Sequence, residues 1–440
     1  MTYLYSAAKP SSFAHMPRLI RLFGKCVWLP LLAGVLTLAG PLLADEARKG
    51  KEVEDPAANL NEAFTEGSVK LQFRYRYEQV DQDNALDDAN ASTLKSRITL
   101  QTKEYKNFKT LIEVDDVTAI GNDGYNSLRN GEAGRRSVVA DPEGTEINQA
   151  WVAYSGIENI QLNYGRQRFN LDNQRFIGGV GWRQNEQTYD SSSISDTHLK
   201  DTTLTYAYIY NVNRIFGPDS AGPGQPDEDL DSDTHLVNIN YQGLTIGTLS
   251  AYAYLMDFDN AAALSNKTFG IRLDGKQKLQ ENLSALYTAE YAVQEDYGDN
   301  TSYDAGYYLL EGGLKAKKVT VKLGYEVLEG DLDNSRAFIT PLATLHKFQG
   351  WADQFLATPV GGIEDLYVMA SATAFGVTFT AVYHDFEADE GGADYGEELG
   401  LAIAKNFGGA LTGLLKYSSY DADDHNVDTD KLWLQLVVSF

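Results

Sequence analysis

The sequence predicts an all-β protein: a transmembrane antiparallel β-barrel of eighteen strands, with short turns at one end and long loops at the other. Three observations predict it. An export signal precedes the body of the chain. A strict two-residue alternation of apolar and polar side chains recurs through that body, and the connections between alternating segments are short and long by turns.

Composition bounds the alternatives. The 440 residues are 43% apolar and 22% charged, too apolar for a disordered chain. The 27 Tyr favour strands and membrane interfaces. A formal net charge of −25 offers no basic footprint, so nucleic acid is excluded as a partner. Residues 1–44 hold Lys9, Arg18, Arg21 and Lys25 and no acidic residue, and an apolar run from Cys26 to Leu43 ends at Ala44 before Asp45. That order reads as a secretory signal peptide, with Met16 as an alternative start. Residues 45–66 would follow as a short periplasmic segment and 67–440 as the barrel. Cys26, the only cysteine, leaves with the signal, so no disulfide framework holds the exported chain. No later run of 18 apolar residues predicts a transmembrane helix.

The first strand shows the pattern. Val69, Leu71, Phe73, Tyr75 and Tyr77 share one face, and Lys70, Gln72, Arg74, Arg76 and Glu78 the other. It recurs at Leu283–Val293, Val319–Val327 and Val377–Tyr383. Eighteen strands are expected to start near 68, 93, 107, 145, 159, 185, 201, 234, 244, 267, 282, 302, 318, 363, 376, 395, 409 and 429. Long polar connections at 119–144, 212–233, 330–362 and 421–428 alternate with tight turns, as in barrels of the Gram-negative outer membrane. The last strand places Leu432, Leu434, Leu436, Val438 and Phe440 on one face. This ending resembles the C-terminal signature of outer-membrane proteins, which implies the barrel assembly machinery and outer-membrane lipid as partners.

Eighteen strands enclose an aqueous lumen. Lys70, Arg74 and Arg76 of the first strand and Lys95, Arg97 and Lys103 of the second are expected to face it as one cationic patch, with Glu113 and Asp115 on the third. The patch would select or orient anions; alternatively the third strand neutralises it. Residues 165–190 are the stretch densest in Arg, Gln and Asn. Folded inward, this connector would present Arg166, Arg168, Arg175 and Arg183 as planar donors for carboxylates; folded against the wall, it would be purely structural.

The blocks Gly165-Arg166-Gln167, Asp172-Asn173-Gln174-Arg175-Phe176 and Gly181-Trp182-Arg183-Gln184-Asn185-Glu186-Gln187-Thr188-Tyr189-Asp190 resemble the alginate-export family of outer-membrane proteins. Asn213-Arg214-Ile215-Phe216-Gly217, Leu345-His346 and Gly350-Trp351-Ala352-Asp353 are similar to its members as well. The resemblance implies an eighteen-stranded, monomeric channel that passes anionic polysaccharide through an electropositive constriction.

The function expected is therefore an outer-membrane porin for anionic solutes, alginate-like uronate polysaccharide among them. A general diffusion porin and a barrel enzyme or adhesin are the alternatives. The 330–362 connection carries Phe338, His346, Phe348, Trp351 and Phe355 and would cap the mouth, stack on sugar rings or pack as a surface flap. No nucleophile elbow or His pair suggests catalysis, and Asp423-Asp424-His425 reads better as a solvated loop than as a protease pair. Asp229, Asp231 and Asp233 have calcium-like spacing without the glycine and glutamate of an EF-hand, so no metal or cofactor is expected.

Overall fold

Alternation with a period of two gives each segment an apolar and a polar face, and a closed sheet buries neither unless lipid covers the outside. The computed structural model, which describes residues 55–440 except Pro223, takes this solution. The expected signal peptide at 1–44 lies outside the described residues.

A short helix, α1 (Leu60–Thr65), is capped by the Asn59 side chain, which accepts from the Glu62 amide. The barrel follows as β1 (Ser68–Gln82), β2 (Ala89–Gln101), β3 (Phe108–Gly124), β4 (Gly144–Ile157), β5 (Ile160–Gln167) and β6 (Thr188–Asp196). It continues with β7 (Thr202–Asn213), β8 (Asp229–Leu244), β9 (Gly247–Met256), β10 (Asn266–Gln280), β11 (Leu283–Asp296), β12 (Asp304–Ala316) and β13 (Val319–Leu328). After a two-rung hairpin, β14 (Gly330–Asp331) and β15 (Arg336–Ala337), it is completed by β16 (Ile363–Ala374), β17 (Val377–Glu387), β18 (Asp394–Asn406), β19 (Leu411–Ala422) and β20 (Thr429–Ser439).

Eighteen of these strands form one antiparallel sheet, and β1 pairs with both β2 and β20, so the sheet closes on itself. Every strand start expected from the sequence falls within five residues of an observed one. The C-terminus seals the ring: the Phe440 amide donates to Leu71 O and accepts in return from the Leu71 amide at Phe440 O, at 2.8 and 3.1 Å. The apolar faces point outward, with Leu310 at 62% and Leu323 at 58% exposure. Exposed apolar side chains in such numbers are what a lipid-facing band requires.

The packed core lies inside the barrel, where 168–187 and 329–362 turn in from the long-loop end. Phe176, Ile177, Phe338, Leu342 and Phe355 from these loops pack on Tyr189, Tyr252, Tyr307, Phe386 and Tyr420 from the wall. The aromatic-rich 330–362 connection is therefore neither a mouth cap nor a surface flap. Phe338 and His346 are buried against protein, out of reach of a passing sugar.

Candidate functional site in the lumen

The 168–187 loop leaves β5 and makes contacts on three sides of the ring. Asp172 accepts from Asn238 and Asn240 of β8 and from Ser250 of β9, at 2.7, 3.0 and 2.8 Å. Arg175 pairs with Glu326 of β13 at 2.9 Å. Arg183 Nη1 donates to both carboxylate oxygens of Glu78 of β1, at 3.3 and 3.0 Å. Strands β1, β8 and β13 are well separated around an eighteen-membered ring, so the loop spans the lumen.

Its landing on β1–β3 is electrostatic. Arg74 lies directly opposite Lys95 in register, a like-charge pair that would be unfavourable in an empty lumen. The loop resolves it. Arg74 donates to Gln184 Oε1 at 2.9 Å and to Gly181 O at 2.7 Å. Glu186 inserts between Lys95 at 3.5 Å and Arg97 at 3.0 Å and also pairs with Arg168. Arg97 additionally forks onto Asp115 at 2.6 Å, while Arg168 reaches Glu113 at 2.8 Å. Burial works against the Glu186 charge, but Arg97, Arg168 and Lys95 outweigh it and hold the carboxyl well below the usual range.

A second knot joins both inserted loops. Arg183 faces Glu78, Asp141 at 3.7 Å and Asp353 at 3.2 Å. Asp353, from the 329–362 loop, also holds Lys431 at 2.7 Å and His346 Nδ1 at 2.6 Å. His346 stacks on Trp182 with centroids 4.3 Å apart, and its Nε2 lies 2.7 Å from Lys416 Nζ. In a neutral ring that gives Nδ1–H to Asp353, Nε2 is left to accept from Lys416. Burial, reinforced by Lys416, holds His346 well below its ordinary value despite Asp353. Arg76 lies over the Trp182 ring at 4.2 Å and contacts Asp141 at 3.6 Å.

These placements change the expected picture of the cationic patch. Arg74, Arg76, Lys95 and Arg97 do gather with Glu113 and Asp115, but the third strand meets only Lys95 and Arg97; loop groups take the other two, Gln184 and Gly181 O holding Arg74 and Asp141 holding Arg76. Lys103 leaves the patch and binds Glu66 of the α1 segment at 2.7 Å. Arg166 does not face the lumen: it shares the outward face of β5 with Tyr164 and pairs with Asp190 of β6 at 2.8 Å. Arg175 and Arg183 are buried in protein ion pairs rather than presented as donors for solute. Lys70 alone of the expected cations is exposed with no carboxylate within ion-pair distance among the described residues. The Asp423–His425 tip is structural: His425 stacks on Phe355 at 4.8 Å. Among the described residues no three His, Cys, Asp or Glu side chains are grouped to hold a metal.

Sequence reasoning missed a second basic group. Alternation puts Lys109, Arg272, Lys276, Lys315 and Lys322 on the inward face of the short-turn half. Lys347 joins them from the tip of the inserted loop. Arg272 is tied to Glu290 and Lys322 to Glu311, both in the wall. Lys276, Lys315 and Lys347 have no carboxylate within ion-pair distance among the described residues, and Lys347 Nζ donates only to Asn173 O at 2.8 Å. Burial, then Arg272 and Lys322, hold Lys347 below its ordinary value. The signal was present as isolated basic residues on the polar faces of β3, β10, β12 and β13, legible only once the barrel register is known.

The profile of the family described as alginate export matches residues 66–340, more than half of the chain. No curated protein matches the sequence. Among solved structures, OccAB4 of Acinetobacter baumannii is similar at a TM-score of 0.68 and 14% identity, over 84% of this chain and 98% of that one. OpdK of Pseudomonas aeruginosa, solved with vanillate, gives 0.67 at 13% identity over 86% and 99%. OccK3 (OpdO) of Pseudomonas aeruginosa gives 0.62 at 14% over 87% and 97%. At such identities the likeness is one of fold.

Proposed function

The chain belongs to the alginate-export family of porins, and on that footing we propose that it is an outer-membrane channel selective for anionic solutes, with uronate-type polysaccharide as the candidate cargo. The observation that carries this reading is the short-turn vestibule, where Lys70, Lys109, Lys276, Lys315 and Lys347 face the lumen with few carboxylates among them. The overall −25 does not oppose it. Much of the acidic excess sits in long-loop segments such as 227–233 and 421–430 at the other end, screened beyond about 8 Å at physiological salt.

Selection follows from the placement of charge. Each carboxylate–ammonium contact in this wet vestibule gains up to about 1 kcal/mol. Lysines spaced over several strands and the inserted loop let a polyanion exchange one partner for the next, so that it enters without being trapped. Lys70 acts on the solute directly. Arg74, Arg76, Lys95, Arg97, Arg175 and Arg183, with Glu113 and Asp115, act by fixing the loops that set the width of the passage, and Arg166 braces the wall through Asp190 of β6. The outer membrane of a Gram-negative cell is the location this reading requires. The exposed Phe440 supports recognition by the barrel assembly machinery.

Flux through proteoliposomes tests the proposal. Oligouronates should enter faster than neutral oligosaccharides of equal length, and Lys276→Glu/Lys315→Glu should abolish the difference. Equal flux of both solutes through the wild type would make the protein a general diffusion porin.

A further inference from the structure

Below the Glu113–Arg168–Glu186 cluster, on the short-turn side, β4 and β5 form a recess roofed by the start of the 168–187 loop. We propose that this recess is a binding site for an uncharged, hydroxyl-rich six-membered ring, one hexopyranose unit. The site rests on the channel reading only in needing an open lumen; it does not depend on anion selectivity.

The recess encloses about 250 Å³, lined by Trp151 and Phe169 and by the amides of Gln149, Gln161, Asn163 and Gln167. That is below the ~300–1,000 Å³ of drug-sized ligand sites and suits a single ring. Trp151 is half-buried, and the residue opposite it in register is Gly165. A Cβ at Gly165 would lie 2.3 Å from Ala150 O, and φ there is +119°, so no other residue fits. The glycine thus leaves the indole without a side-chain neighbour across the β4–β5 pair, the condition for a sugar's C–H face to stack on it.

The amides are only partly committed. Gln149 donates to Glu113 at 2.9 Å, Gln161 to Asn163 at 3.1 Å and Asn163 to Ser193 at 3.4 Å. Gln167 is taken up by Ser191 and Ser193, but each primary amide carries two N–H groups and two carbonyl lone pairs, so Gln149, Gln161 and Asn163 leave donors and acceptors on the same wall. Hydroxyls, which both donate and accept, match that mixture. Arg168 decides the charge of the ligand. Its Nη2 is bonded to Glu113 at 2.8 Å and to Glu186, so its charge is compensated within the protein. Its Nε is buried and has no acceptor among the described residues.

Single-channel recordings test this with maltotriose as the probe, and with sorbitol and a polyethylene glycol of similar mass as controls. Maltotriose should produce discrete blockades whose dwell time falls about tenfold in Trp151→Ala and changes little in Trp151→Phe. Asn163→Ala should shorten the dwell as well, and it carries the test if Trp151→Ala does not assemble. Equal blockade by sorbitol, dwell times indifferent to Trp151 and Asn163, or blockade by benzoate with maltotriose silent would overturn the proposal. Reversal potentials from the same membranes separate the two readings. A cation-selective channel with Trp151-dependent blockade sinks anion selectivity and leaves this site; an anion-selective channel without blockade does the reverse.

Discussion

Arg183→Met should release the inserted loops. The methionine keeps an unbranched stem and removes a guanidinium that joins β1, the 125–143 connection and the 329–362 loop through Glu78, Asp141 and Asp353. Two of these carboxylates keep a cation: Asp141 has Arg76 at 3.6 Å and Asp353 has Lys431 at 2.7 Å. Glu78, fully buried, has no other hydrogen-bonding or ion-pair partner among the described residues. Breaking a buried pair by removing one partner costs about 3–5 kcal/mol, and with one carboxylate of three left alone we take the lower end, about 3 kcal/mol. At about 1.4 kcal/mol per decade, that shifts the docked-to-undocked ratio of the loops roughly a hundredfold. Single-channel recording reads it as higher conductance with frequent current steps. Glu78→Gln/Arg183→Met should recover most of the quiet behaviour, because removing both members of a buried pair is close to neutral. Quiet, wild-type conductance in Arg183→Met, or a double variant noisier than the single one, would refute the reasoning.

Three further outcomes are expected. Lowering pH should loosen the loops, because a histidine held below its ordinary 6.5 when docked takes up a proton more readily when released. Its contribution to docking is therefore full above about pH 6.5 and declines below it, at up to about 1.4 kcal/mol per pH unit; open-channel noise should rise accordingly and should lose this dependence in His346→Gln. The depressed Glu186 and Asp353 carboxyls act in the same direction but only below about pH 4, so noise that begins there and is unchanged in His346→Gln would contradict the assignment. Arg74→Glu would face Glu186 across the landing site and should open the channel rather than merely change its selectivity, as conductance measurements will show. Deletion of Phe440 should lower the amount of heat-modifiable barrel in membranes while leaving the conductance of assembled channels unchanged; normal membrane levels would remove the role given to the C-terminus.

The barrel was legible because its information is local. Val69 to Tyr77 announces one strand without reference to any other, and tight turns such as Lys317-Lys318 mark the ends. The α1 turn was missed, since six residues with an Asn cap leave little periodic signal. The lumen was less legible because its chemistry is non-local. Arg97 and Glu186 lie far apart in sequence, and only the inward path of the loop brings them to 3.0 Å. The Arg- and Gln-rich composition of 165–190 identified the right segment, but reading its arginines as free donors ignored that a buried cation requires a partner. The vestibule lysines were invisible for the opposite reason: scattered over β1, β3, β10, β12 and the inserted loop, they share one end of the lumen only after the ring has closed.

The central claim is that the lumen favours anions despite a strongly acidic chain, and the reversal potential of the wild-type channel under a tenfold potassium chloride gradient tests it most directly. The vestibule lysines predict the sign of a chloride-preferring pore, diminished in Lys276→Glu/Lys315→Glu. A potassium-preferring reversal potential in the wild type would contradict the account.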